Sequence, residues 1–283
     1  LGELPEAAAD PDEQAEQLPG LVDALAAVTC ARPVDDVVRT VDAHTELTVP
    51  VAMTRRQAGA YQGVLARHYE VLADARHARH GAARAAQLKS ICAELRKVCS
   101  HPYLLPDLEP DVPPPAAAAA AHGGGSAQGA DAFRALGSTD ECVSSSGKLA
   151  LLARLLRVLR RQDRRALLLS HTPKMLDMIE GCAQSVLGSS AVERVDALMA
   201  SSARHAAVSA FKSDSCPVSL FLMTPSACGL GTDLPRVDVV LLFDSDWHPL
   251  LDLQALRRAC CIGRPGALHV VRLVAAHSVE ERA

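Results

Sequence analysis

From Lys148 onward the chain alternates short apolar runs with segments of helical period, and that alternation restricts the fold more than any other feature. Helical spacing of apolar residues predicts helices over 148–162, 174–187, 202–212 and 251–259. Between and after them lie apolar runs over 166–170, 193–195, 218–223, 238–243 and 268–274, which read as strands. Strands joined through helices lie parallel, and a parallel sheet needs helices on both faces. The expected class is therefore α/β, a mainly parallel sheet flanked by helices. A length of 283 residues suits one large domain or two smaller ones, and 49% hydrophobic residues are ample for a core. With only 3% aromatic residues, aliphatic side chains and alanine must fill it.

The part before Lys148 is organised differently. Residues 1–23 are acidic and proline-punctuated, and read as disordered. Thr54 is placed to cap a helix that carries Tyr61, Val64, Leu65, Tyr69 and Leu72 at helical spacing. A second helix spans Ala82 to Cys99 and is ended by Pro102. His101 and Tyr103 then read as a packed turn. Residues 106–145 contain DVPPPAAAAAAHGGGSAQGAD and are read as a low-complexity linker. Its two ends can still lie close together, because closing a long flexible loop costs little more than closing a short one.

Charge and cysteine usage narrow the setting. Residues 147–283 carry 17 Lys+Arg against 13 Asp+Glu, whereas residues 1–146 carry 12 against 20. The second half is the better candidate to face DNA. Nine cysteines without a CxxC pair or a His cluster fit a reducing compartment and predict no metal site. No secretory signal or membrane-length apolar run is present, so no membrane partner is expected. Leu1 in place of an initiator Met, and a helical pattern still running at Val279–Arg282, suggest a piece of a longer polypeptide.

The chemistry gathers between Val237 and Gly266, VDVVLLFDSDWHPLLDLQALRRACCIGRPG. A buried strand gives way to Asp244-Ser245-Asp246, then Trp247, and Pro249 opens a helix bearing Asp252, Gln254, Arg257 and Arg258. Polar side chains just past a strand's carboxyl end occupy the place where open parallel sheets bind ligands. Ser146-Gly147-Lys148 is not a phosphate loop, since the GxxxxGK[ST] frame is missing and no strand precedes it.

This stretch resembles the last motifs of the second RecA-like lobe of Swi/Snf-type chromatin-remodelling ATPases, DSDWNP followed after a spacer by DLQAxxRAHRIGQ. Matching positions include Asp244, Asp246, Trp247, Pro249, Asp252, Gln254, Arg258 and Gly263. Other segments are similar to the same family. LRKVCSHPYLL (Leu95–Leu105) is close to LRKxCNHPYLF, and Ser146–Leu149 matches SGKL. LLLSH (Leu167–His171) stands where the family reads LIFSQ, so His171 replaces a glutamine. RVDALMASSARHAAVSAF follows RLDGSTxxxxRxxxIxxF with Ala197 for a glycine, and TPSACGLGTDL (Thr224–Leu234) aligns with STRAGGLGINL. Gln57 and Tyr61 fit SPxQxxxYxxIL.

The resemblance implies a RecA-like parallel sheet, the second helicase lobe, preceded by a mainly helical connecting segment. Residues 24–105 would hold the end of the first lobe and a helical protrusion, and 146–283 the helicase C-terminal lobe. It further implies an ATP-dependent DNA translocase or chromatin remodeller, nearest the chromodomain-bearing branch, nuclear and acting on nucleosomal DNA. ATP with Mg would be bound mainly by a first lobe absent from this chain. Hydrolysis would thus require that lobe, and remodelling-complex subunits would be further partners.

By the same resemblance Gln254 and Arg258 face nucleotide, with Arg258 the first of two catalytic arginines. Cys261 occupies the second arginine's position and cannot replace a guanidinium. Cys260 and Arg264 depart from the family's His and Gln, and Ser226 and Cys228 from its Arg and Gly. Gly229 and Gly231 would leave backbone open to nucleotide. Ser170, Thr224 and Trp247 would face DNA. Ser170 and His171 fit equally a cap for the next helix, and a lone tryptophan is by default core. Asp244 and Asp246 are expected to shape the loop without catalysis. The substitutions also suggest an alternative: a catalytically degenerate DNA-binding or scaffold module in chromatin silencing.

Overall fold

The computed structural model describes residues 44–74, 82–108, 139–196, 199–213, 216–227, 233–234, 236–260 and 266–282. The acidic segment 1–23, residues 24–43, most of the linker, Ala197, Cys228, Gly229, Gly231, Cys261 and Arg264 lie outside them. The helices are α1 (Arg55–Arg67), α2 (Tyr69–Asp74), α3 (Ala82–Ser100), α4 (Thr139–Ser145), α5 (Gly147–Arg161), α6 (Pro173–Leu187), α7 (Ser201–Lys212) and α8 (Pro249–Ala259). The strands are β1 (Thr45–Val51), β2 (Ala166–Leu169), β3 (Val192–Val195), β4 (Leu220–Met223), β5 (Val239–Leu242) and β6 (His269–Ala275).

All strand pairs are parallel, in the order β1-β6-β5-β2-β4-β3. The apolar runs predicted from residue 166 onward are β2 to β6, each within a residue or two of its expected span. Every residue of β2, β4 and β5 is buried, because both faces of these central strands are covered. On one face Leu149, Leu152 and Leu156 of α5 and Met175 and Ile179 of α6 pack over Leu168, Leu222 and Leu241. On the other, Phe211 of α7 and Ala255 and Leu256 of α8 cover Leu167, Leu169, Phe221 and Leu242. Each large apolar side chain so buried contributes about 1.5–3 kcal/mol.

The sheet's first edge comes from far away in sequence. β1 pairs with β6 along its whole length, from Thr45 opposite His269 to Val51 opposite Ala275. Its first four residues are exposed, as befits an edge, while Val51 joins the α5 side of the core. Behind it α1 and α3 form a satellite cluster of Val64, Ile91, Leu95 and Val98 with Leu105. The helical connecting segment is thus fastened to the lobe it precedes.

A polar joint makes that attachment. Thr54 caps α1 as expected, its hydroxyl oxygen accepting from the Gln57 amide in a reciprocal capping box. Buried Gln57 donates through Nε2 to the carbonyls of Val98 and Cys99, both at 3.0 Å. Its Oε1 accepts from Gly147 N–H at 2.9 Å. At Gly147 a Cβ would lie 2.2 Å from the Ala52 carbonyl oxygen, so only glycine lets α5 start this close to the chain leaving β1. Within the predicted linker the structure describes a 3₁₀ turn at Pro106–Leu108 and α4, and α4 and the cap of α5 are bonded to the end of α3 and the residue after it. Ser146 Oγ donates to the Ser100 carbonyl at 2.7 Å, and His101 Nε2 lies 3.0 Å from the Cys142 carbonyl oxygen.

Candidate functional site

The site grows from the carboxyl end of β5. Phe243 N–H still bonds to Leu169 O at 3.0 Å, after which the chain leaves the sheet at Asp244. The buried Asp244 carboxylate accepts from Ser170 Oγ and from the His171 amide, each at 2.9 Å. The loop after β5 is thereby tied to the loop after β2. Asp246 accepts from the His248 amide at 3.0 Å, and Pro249 opens α8, where its missing N–H costs nothing. Asp244 and Asp246 serve as loop-shaping residues, in line with the sequence reading.

Two further cations hold the same loop. Arg272 of β6 donates to Ser245 Oγ at 2.5 Å and to Asp252 Oδ2 at 2.9 Å, and pairs with Glu46 of β1 at 3.1 Å. Arg96 of α3 donates to the Ser245 carbonyl and sets its guanidinium 5.9 Å from the centre of the Trp247 ring. Trp247 is 45% exposed, so it is not a core tryptophan. Together with Thr48, Pro50, Leu253 and Val274 it lines a cleft of about 720 Å³ beside β6.

His171 sits at the centre of the cluster. Its Nε2 lies 3.2 Å from Asp252 Oδ1 and its Nδ1 3.4 Å from Asp246 Oδ2. Burial by itself would lower its pKa, but the hydrogen bond to Asp252 and the charges of Asp244, Asp252 and Asp246 outweigh burial and raise it. Asp252 shows the reverse. Burial would raise its pKa, yet the bonds from His171 and Arg272 hold it below the usual carboxylate value.

α8 presents its outer side to solvent. Leu250 and Leu253 are exposed, as are Gln254 and Arg257, whereas Ala255, Leu256 and Ala259 face the core. Gln254 and Arg258, four residues apart, share a face. The Arg258 guanidinium is half-buried, 3.8 Å from Asp233 Oδ1, and its Nε is buried without a hydrogen-bond partner among the described residues. The Arg258 carbonyl also accepts from Leu234 N–H at 2.7 Å, fixing the chain ahead of β5 to this helix.

Of the residues expected to face DNA, Trp247 is accessible, and burial corrects the other two. Ser170 is fully buried with its hydroxyl donating to Asp244, so it braces the loop and offers nothing to a phosphate. Thr224 is 3% exposed at the end of β4. The nucleotide-facing candidates Gln254 and Arg258 stand together on α8, and Cys261, Gly229 and Gly231 fall outside the described residues.

Lys148, Arg96, Arg272 and Glu280 escaped the sequence reading. Lys148 is 1% exposed, its Nζ 2.6 Å from Glu280 Oε2 and 2.9 Å from the Phe243 carbonyl oxygen it donates to. Glu280 Oε2 also accepts from the Ala275 amide at 2.8 Å. A buried lysine so committed holds the end of β5 and has no opening towards a phosphate. Only its place two residues after a helix-capping serine hinted at anything but solvent.

The parallel sheet with helices on both faces is a RecA-like fold, the one seen in solved SWI2/SNF2 ATPase structures. The helicase conserved C-terminal domain family matches residues 147–263. The chain is similar to the Arabidopsis thaliana protein CHROMATIN REMODELING 4, with 36% identity covering 87% of this chain and 10% of that one. It is 31% identical to the human SWI/SNF-related matrix-associated actin-dependent regulator of chromatin subfamily A member 1, over 87% of this chain and 21% of that one. In fold it is similar to a Sulfolobus solfataricus SWI2/SNF2 ATPase core solved with double-stranded DNA. The TM-score there is 0.63 at 18% identity, covering 84% of this chain and 42% of that one. The chain belongs to the Swi/Snf-type chromatin-remodelling ATPase family. It spans 10–21% of the length of these two curated relatives.

Proposed function

We propose that this chain supplies the second ATPase lobe of a nuclear, ATP-dependent DNA translocase that remodels nucleosomes. Residues 24–105 would carry the end of the first lobe and its helical protrusion, and 146–283 the helicase lobe. The observation that carries the reading is α8. It sets Gln254 and Arg258 on one face just past the carboxyl end of β5, in a chain of this family. Phosphoryl transfer asks little covalent chemistry of the protein and much placement of positive charge. The residues present fit an anionic ligand, since Arg258 keeps a buried Nε without a partner among the described residues and Gln254 is exposed beside it. ATP with Mg, held mainly by a first lobe, would supply the γ-phosphoryl group. Within this chain, Arg258 would stabilise the developing negative charge and Gln254 would orient the nucleotide.

Trp247 is the DNA-facing candidate. Its ring is accessible and held by Arg96, so a flat apolar surface is presented without a loop having to order first. The first lobe of the same polypeptide and duplex DNA would close on the two sides of this loop. Movement along DNA would rest on phosphate contacts without sequence readout.

The test is DNA-stimulated ATP hydrolysis by the full-length protein, unmodified and with Arg258→Ala or Cys261→Arg. We expect Arg258→Ala to abolish turnover, by on the order of 10³-fold or more, and Cys261→Arg to raise it. No turnover from either the unmodified or the Cys261→Arg protein, with DNA binding retained, would overturn the enzyme reading and leave the scaffold alternative.

A further inference from the structure

We infer that His171 is a positioning residue held as an imidazolium between Asp246 and Asp252, a charged bridge that fixes the start of α8 against the turn between β2 and α6. The geometry carries this. Both ring nitrogens face carboxylate oxygens, at 3.2 Å and 3.4 Å. A neutral imidazole has one N–H, so one of the two nitrogens would turn a lone pair towards an anion. Protonation converts that repulsion into a second attraction. Asp252, on α8, cannot turn away, because its other oxygen is held by Arg272 of β6 and its side chain is 5% exposed. Asp246 is held by the His248 amide.

The charges around His171 come from every packed element. Asp244 at the end of β5 accepts from the His171 amide, and Asp246 follows in the same loop. α8 supplies Asp252 and β6 supplies Arg272, which is paired in turn with Glu46 of β1. On its own element the next charge is Lys174, in the first turn of α6. Three carboxylates therefore surround the ring, with one arginine among them. The raised pKa of His171 and the lowered pKa of Asp252 agree with the geometry.

The bridge joins the turn after β2 to both the loop after β5 and α8, beside the tie that Asp244 makes with Ser170 and the His171 amide. It makes the seating of α8, and so of Gln254 and Arg258, dependent on one titratable group. Because the folded-state pKa is raised, its stabilisation is fully present below the unfolded value of about 6.5 and is lost as pH rises through the folded value. A glutamine, as in LIFSQ, would carry no such charge. The consequence for turnover rests on the function proposed above, whereas the protonation state does not.

The experiment is long-range ¹H–¹⁵N NMR of the histidine rings in the full 283-residue chain, with His171→Gln identifying the signal. We expect both His171 nitrogens to be protonated near pH 6.5, with a midpoint above that of the same residue in the urea-unfolded chain. The melting-temperature advantage over His171→Gln should shrink as pH rises. A midpoint at or below the unfolded one, or an advantage that does not change with pH, overturns the inference. Should His171→Gln not fold, Asp246→Asn gives the second reading: it should lower the His171 midpoint, and an unmoved midpoint also overturns the proposal. Loss of ATPase activity in the full-length protein leaves these outcomes unaffected, so the two readings fail separately.

Discussion

Two polar joints in this lobe each turn on a histidine, and they hold it in opposite states. In the joint behind the sheet, His101 Nδ1 accepts from the Tyr103 amide at 3.1 Å while Nε2 faces the Cys142 carbonyl oxygen. One acceptor and one donor suit a neutral ring, and burial lowers its pKa to about 4. In the joint at the open end of the sheet, His171 meets a carboxylate at each nitrogen and its pKa is raised. The difference does not lie in burial alone, since burial disfavours the charged form at both sites. It lies in the partners. Backbone groups hold a neutral ring in the joint that must stay closed, whereas carboxylates hold a charged one where the chain is set to meet ligands.

The comparison breaks most visibly if the buried Lys148–Glu280 ion pair, one residue on from Gly147 of the closed joint, is lost. Lys148→Ala leaves the Glu280 carboxylate buried with no cation, and removing one partner of such a pair costs about 3–5 kcal/mol. Chemical denaturation should show that loss, and Lys148→Ala with Glu280→Ala together should recover part of it. Full additivity of the two would mean that the pair does not couple.

A pH series sharpens the contrast. His101 has a folded pKa of about 4 against about 6.5 unfolded, so its contribution is present above the unfolded value and is lost as pH falls towards the folded one. The full effect is about 3 kcal/mol. His171 must act with the opposite sign. Stability of the chain measured from pH 4 to 8, against His101→Gln and His171→Gln, should therefore show one variant flattening the acid limb and the other the neutral limb. Gln57→Ala comes next, at about 1–3 kcal/mol, because it strips the acceptor from Gly147 N–H and the donors from the Val98 and Cys99 carbonyls. Its m-value should not change.

Much of this was legible in the sequence, for a local reason. Period and end signals belong to neighbouring residues, so the helices and strands after Lys148 appeared close to their true bounds, and Thr54 was found as a cap. What could not be read depends on residues far apart. That β1 lies beside β6 is a pairing across more than two hundred positions, and its exposed, half-polar sequence gives no sign of a neighbour. Lys148 reads as an ordinary helix cation because Glu280, which buries it, arrives at the far end of the chain. The same blindness hid the burial of Ser170 and Thr224: a hydroxyl after an apolar run looks available until distant elements cover it, as Asp244 does for Ser170. The placement of Trp247 in a loop and of Arg258 on a helix was legible because that loop and helix are contiguous in sequence.

The smallest expected effect tests whether the open joint is held from α3 as well as from the sheet. Trp247 is the chain's single tryptophan, so its fluorescence reports on this loop without labelling. Arg96 touches the loop in two ways, through the Ser245 carbonyl and over the Trp247 ring, and each contact is partly exposed. A cation over an aromatic face at such a site is worth about 0.5–1 kcal/mol, so Arg96→Ala should barely lower the melting temperature. It should nonetheless shift Trp247 emission and raise its accessibility to acrylamide quenching, since the ring loses the guanidinium that lies over it. Arg96→Lys should restore the charge but not the planar stacking, and so only part of the protection. Unchanged quenching in Arg96→Ala would show that Arg272 and the carboxylates fix the loop unaided, leaving α3 as a neighbour of the site with no hold on it.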